Sequence, residues 1–260
     1  MVRIVFPLTK RRKIILVSIL LTLILWFIQQ SKINPALSIG VVAIVDYFLT
    51  FWVLDFDLKD QEYLALPILT ILFTTAIILN IPIIAQLGFP WVVPILSFLG
   101  LYLMLLTTNI LNISTVRPLP LVRAAWTALH LIYFGLSFMF MSAIFWSGFS
   151  LIQIVVFSFI IPFVLSYPAY YLLINELSRG GHPLLYMFLS GLILAEFAFV
   201  FIFLNLPFYV KSISLGAVFY IVTGILEHDL RANMSKETAT EYIAIALLVI
   251  AAIFYHLIFF

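Results

Sequence analysis

The sequence predicts an all-α fold: a polytopic transmembrane helix bundle of about nine spans, with the N-terminus cytoplasmic and the whole of residues 1–260 in one integral membrane domain. Three observations carry that expectation. Hydrophobic residues make up 65% of the chain and charged residues only 9%, whereas soluble domains keep about 25% charged to hold their surface in water. The mean hydropathy is +1.24. The apolar runs are near-continuous rather than alternating, which selects helices over a barrel as the way to satisfy the backbone in lipid.

The first span sets the direction of all the others. Lys10, Arg11, Arg12 and Lys13 run straight into Ile14–Ile28, which carries no charge. Such a cationic block holds its end of a helix on the cytoplasmic side. The segment has the layout of a secretory signal, but Gln29-Gln30-Ser31-Lys32 offers no small-residue cleavage site, so an uncleaved span is expected. Asn34-Pro35 then reads as a helix cap with proline in the first turn, opening a second span that ends near Leu54.

The remaining spans follow from runs of about 20 apolar residues each. The third covers Tyr63 to Ala85, and Gly88-Phe89-Pro90 turns the chain into a fourth from Trp91 to Asn112. The fifth runs from Ala124 to Trp146, the sixth from Phe149 to Ile174 with Pro162 and Pro168 inside it, and the seventh from Pro183 to Leu204. The eighth, Phe208 to Leu226, is short and interrupted by Lys211. Glu227–Glu241 reads as the longest polar segment, ahead of a ninth span from Tyr242. With this layout Arg3, Lys10, Arg11, Arg12, Lys13, Lys59, Arg117, Arg123, Arg179, Arg231 and Lys236 lie inside, and only Lys32 and Lys211 outside. All five tryptophans fall near span ends, the level that indole prefers.

Composition also excludes some chemistry. The chain has no cysteine, so disulfides, thiolate metal ligands and thiol catalysis are ruled out. A net charge of +2, concentrated beside the spans, fits anionic lipid headgroups and gives no reason to expect nucleic acid. HExxH, GxSxG and Gly-rich phosphate loops are missing from the sequence.

Two carboxylates break the lipid pattern: Asp46 in the second span and Glu196 in the seventh. A mid-helix acid costs about 2.5–3.5 kcal/mol on insertion scales, so each is expected to face the bundle or a wet cavity. Counted from the outer ends at 1.5 Å per residue, they lie at similar depths, roughly 17 and 13 Å. Every Lys and Arg falls in a loop or at an interface, so neither acid has an evident basic partner. Two readings stay open. A small solute, cation or proton binds at Asp46 and Glu196; or each acid is neutral, hydrogen-bonded and simply tightens the bundle. Ser190, Gly191 and Ala195, just before Glu196, allow a close helix–helix approach. His130 and His256 stand near span ends, where an interfacial role is expected before a proton relay. The triplet Glu227-His228-Asp229 is a weak metal candidate, because adjacent residues do not share a helix face.

The loop Asp55-Phe56-Asp57-Leu58-Lys59-Asp60-Gln61-Glu62 is the catalytic alternative, since clustered carboxylates can hold Mg²⁺ against a diphosphate. In topology and in this loop the chain resembles the UbiA-type membrane prenyltransferases, which also have nine helices and an aspartate-rich loop between the second and third. That resemblance implies a prenyl or lipid transferase with Asp55, Asp57 and Asp60 as metal ligands. The family's aspartates stand four apart after an asparagine, a spacing these three do not keep, and its second motif is represented here by Glu176 alone. In general character, and over Glu196–Pro207, the chain also resembles uncharacterised bacterial multi-pass families carrying a domain of unknown function. This likeness implies a bacterial cytoplasmic membrane and transfers no activity. A third class, a membrane scaffold or assembly factor, needs no site of its own.

Overall fold

The computed structural model describes residues 9–31, 33–54, 62–114, 121–177, 183–232 and 234–259. Nine α-helices lie among them: α1 (Lys10–Gln30), α2 (Pro35–Val53), α3 (Glu62–Gln86), α4 (Val92–Ser114), α5 (Val122–Trp146), α6 (Leu151–Leu177), α7 (Pro183–Phe203), α8 (Phe208–Arg231) and α9 (Lys236–Phe259). Each is long and apolar enough to cross a membrane. The helix start at Asn34-Pro35 forms as its residues dictate: Asn34 Oδ1 accepts a hydrogen bond from the Ala36 N–H at 2.9 Å, and Pro35 occupies the first turn.

Two corrections concern α8 and α9. The polar segment expected over Glu227–Glu241 is mostly helical, because α8 continues to Arg231 and α9 begins at Lys236. Only the short stretch 232–235 separates them. Lys211 does not interrupt α8 either; its Nζ sits 5.7 Å from the centre of the Phe145 ring on α5, so the cation keeps an aromatic face as partner.

The helices group into two compact units, Met1–Trp126 and Thr127–Phe260. In the first, α2 packs on α3, α3 on α4, α4 on α1 and α1 on α2, a closed ring of four helices. The buried stripe of α1 is Lys13, Ile14, Val17, Ser18, Leu21, Thr22 and Leu25, the spacing of one helix face. Its outward face carries Leu16, Ile19, Leu23 and Phe27, as expected where lipid tails are the solvent. Lys13 is 8% exposed, with Nζ 5.4 Å from the Trp52 ring centre at the end of α2.

In the second unit α6 lies along α7, and α8 packs on α6, α7 and α9. Gly191 makes the α6–α7 approach possible, since a Cβ there would fall 2.7 Å from the Phe159 carbonyl oxygen. Beside it the Ser190 hydroxyl meets the Tyr170 hydroxyl at 2.9 Å. The small residues before Glu196 therefore do close a helix pair. α5 joins through the Tyr133–Phe219 ring contact and through Phe134, whose backbone oxygen would lie 3.3 Å from a Cβ on Gly216. Among the described residues α9 is the least enclosed helix, with Tyr242 its one buried residue.

Candidate functional site

Asp46 lies one helical turn before Thr50 on the buried face of α2, opposite Thr70 and Thr74 of α3. All four are buried, Asp46 at 0% exposure. Thr50 Oγ1 donates to Asp46 Oδ1 at 3.1 Å, and Thr74 Oγ1 to Asp46 Oδ2 at 3.1 Å. The Thr50 and Thr70 hydroxyls stand 3.0 Å apart. Thr70 also reaches the Pro67 carbonyl at 2.9 Å, and Thr74 the Ile71 carbonyl at 3.0 Å. The carboxyl thus meets hydroxyls on both oxygens, and no cation is among its partners in the described residues.

The helix geometry explains this grouping. Asp46 and Thr50 are four apart and share a face. Thr70 and Thr74 repeat the same spacing on α3, so two polar pairs meet where α2 and α3 run side by side. A β-branched threonine fits a helix interior when its hydroxyl turns back to a carbonyl of the preceding turn. Here the carboxyl draws the same hydroxyls across the interface.

Glu196 is placed differently. The buried residues of α7 are Met187, Ser190, Gly191, Leu194, Ala195, Ala198 and Phe201. At 100° per residue Glu196 falls about 200° round from Leu194, and it is exposed. Of the two expected surroundings, bundle or wet cavity, the first is corrected: the small residues it follows occupy the packing face of α7, and the acid points away from that face. Asp46 belongs to the first unit and Glu196 to the second.

The second unit holds an ionic cluster that joins Glu227 and Arg231, expected in a polar segment, to His130 of the fifth span. Glu227 is 9% exposed. Its Oε2 lies 2.8 Å from His130 Nε2 on α5, and its Oε1 accepts from Arg231 Nε at 3.0 Å. Tyr220 donates to Glu241 Oε1 at 2.9 Å, tying α9 to α8. Tyr242 packs edge-on to Tyr220 and fills the space over Gly224, where any Cβ would overlap its hydroxyl. Deeper along α5, the buried Ser137 hydroxyl has no hydrogen-bond partner among the described residues. The Glu227–Arg231 spacing of four was a usable signal; the pairing with His130 needed the α5–α8 packing.

Among the described residues no group of three or more His, Asp or Glu could hold a metal, so Glu227-His228-Asp229 does not form one. Asp55, Asp57 and Asp60 lie outside the described residues, as does the Glu176 side chain.

Comparison with protein families matches residues 57–256 to a protein family of unknown function, DUF5656. The match covers most of the chain. This protein belongs to the DUF5656 family. The DUF5656 stretch contains Thr70, Thr74, Glu196 and the His130–Glu227–Arg231 cluster, and it begins after Asp46. The uncharacterised-family resemblance is thereby met at the level of a domain of unknown function, and the match is not to a prenyltransferase. Neither curated proteins nor solved structures yield a match to this DUF5656 chain.

Proposed function

We propose that this protein binds a small monovalent cation, a proton included, within the membrane and passes it across, with Asp46 as the charge-bearing group. One observation carries the reading: a carboxyl at 0% exposure whose partners are threonine hydroxyls. An ionised carboxylate left uncompensated in a low-dielectric interior is too costly to keep. Something positive has to accompany it, and ionisable groups inside a membrane commonly mark ion or proton paths. The competing reading is a permanently neutral acid that only fastens α2 to α3.

The test uses full-length protein in proteoliposomes, with cation and proton fluxes followed over a pH range. Asp46→Asn keeps size and hydrogen bonding but cannot carry the charge, and abolishes flux on this reading. Equal flux in wild type and Asp46→Asn would leave the neutral-fastener reading standing. Glu196→Gln belongs in the same series, because an exposed acid on α7 contributes to flux only if something outside its own helix packing face engages it. The residues of the transferase alternative, Asp55, Asp57 and Asp60 with Mg²⁺, lie outside the described residues, and magnesium-dependent turnover lost on Asp57→Ala would favour it.

A further inference from the structure

Counting hydrogens at Asp46 sharpens that reading, on which the following inference rests. Five short oxygen–oxygen contacts link the carboxyl, the three threonines and two backbone carbonyls: Thr50 to Asp46, Thr50 to Thr70, Thr70 to Pro67, Thr74 to Asp46 and Thr74 to Ile71; the Thr70 hydroxyl also interacts with Asp46 directly. Each hydroxyl has a single hydrogen and donates in one direction at a time. Three threonines can therefore fill three of these six contacts when Asp46 is a bare carboxylate. A carboxyl hydrogen fills a fourth. With it, donors run one way without a break: Asp46 Oδ1 to Thr50, Thr50 to Thr70, Thr70 to the Pro67 carbonyl. Removing it lets the same hydroxyls turn back, Thr70 to Thr50 and Thr50 to Asp46.

A metal ion fits these contacts less well. Coordination needs several oxygen lone pairs aimed at one point, whereas these oxygens already touch one another at 2.9–3.1 Å. We infer that the Asp46 cluster holds a proton rather than a larger cation, and exchanges it through Thr50 and Thr70 towards the end of the first unit where α2 finishes and α3 begins. The direction follows from the chain. Thr50 lies nearer the end of α2 than Asp46, and Thr70 and Pro67 lie nearer the start of α3 than Thr74. Pro67 has no N–H, so the carbonyl of residue 63 loses its ordinary helix donor and extends the line of acceptors to that end.

The transfer balances as a concerted shift. The Asp46 O–H breaks as Thr50 gains that proton. Thr50 passes its own hydrogen to Thr70, and Thr70, rotated off the Pro67 carbonyl, releases its hydrogen to a water that has to enter from that end, since Thr70 is itself buried. The products are a carboxylate and a hydronium ion, and the reverse sequence reloads the site. Thr74 sits on the other carboxyl oxygen as a side branch, its alternative partner being the Ile71 carbonyl.

The experiment uses the full chain in proteoliposomes with an entrapped pH dye, under an imposed proton gradient, and in parallel with radioactive sodium. Wild type is expected to move protons and not sodium, and Asp46→Asn to stop that movement. Thr70→Val is expected to slow it by about tenfold, Thr70→Ser to restore it, and Thr74→Val to have a smaller effect. Should Thr70→Val fail to fold, Thr70→Ala removes the same hydroxyl. Sodium flux that depends on Asp46, without proton flux, would overturn the inference while the cation reading stands. Proton flux that needs Asp46 but is indifferent to loss of the Thr70 hydroxyl would overturn the relay. If no flux depends on Asp46, both readings fail.

Discussion

Thr74 of α3 donates its hydroxyl to Asp46 of α2 across 3.1 Å, linking a fully buried acid to the neighbouring helix. The same hydroxyl stands 3.0 Å from the Ile71 carbonyl. Thr74→Val removes the cross-helix bond at almost unchanged volume. Interhelical hydrogen bonds in membranes average about 0.6 kcal/mol and reach about 1.7. Thermal unfolding in detergent should therefore show a loss of about 0.5–1.5 kcal/mol, with Thr74→Ser close to wild type.

Gly191 gives a larger effect. A Cβ there meets the Phe159 carbonyl oxygen, which is backbone and cannot swing aside. Gly191→Ala should cost about 1–3 kcal/mol, the usual range for overpacking. Gly40→Ala is the matched control, because nothing lies within 4 Å of its Cβ position. There the better helix propensity of alanine should leave stability unchanged or slightly raised.

His130 and Glu227 should prove energetically coupled. Truncating the partner of a buried, hydrogen-bonded carboxylate strands it, at about 3–5 kcal/mol where the pair is fully buried and ionic; the His130 contact is an ion pair only with the imidazole protonated. Glu227 is nearly that buried and keeps Arg231 as a second partner. A double-mutant cycle of His130→Ala with Glu227→Gln should return a coupling of about 1–3 kcal/mol. Additive losses would mean that the 2.8 Å contact contributes nothing to folding.

Ala232, which ends α8, has φ of 51° and ψ of 40°. That left-handed conformation costs a non-glycine residue roughly 1–2 kcal/mol. Ala232→Gly should relieve part of it and raise stability by about 0.5–1 kcal/mol in the same assay.

These residues also mark where the sequence was legible. Apolar run length and turn residues located every helix, because a membrane span has to be long and greasy whatever it packs against. Asp46 was legible as a buried acid for the same reason. Its partners were not: Thr50 lies one turn away, but Thr70 and Thr74 depend on the register between α2 and α3, which no local pattern encodes. The charge-rich stretch after Leu226 suggested a loop because its charges were counted as solvated. Glu227 instead finds His130 and Arg231, and pairing lets the helix continue. For Glu196 the signal was present and missed. The spacing of Ser190, Gly191, Leu194 and Ala198 marks the packing face, and the acid falls on the opposite side.

The proposal that Asp46 is an exchangeable cation site is tested most directly by counting protons. Purified full-length protein and its Asp46→Asn variant would be titrated side by side from acid to alkaline pH and back. Asp46 as an exchangeable proton site predicts that wild type takes up and releases one more proton per chain than the variant. Superimposable titration curves, with both proteins folded, would contradict it.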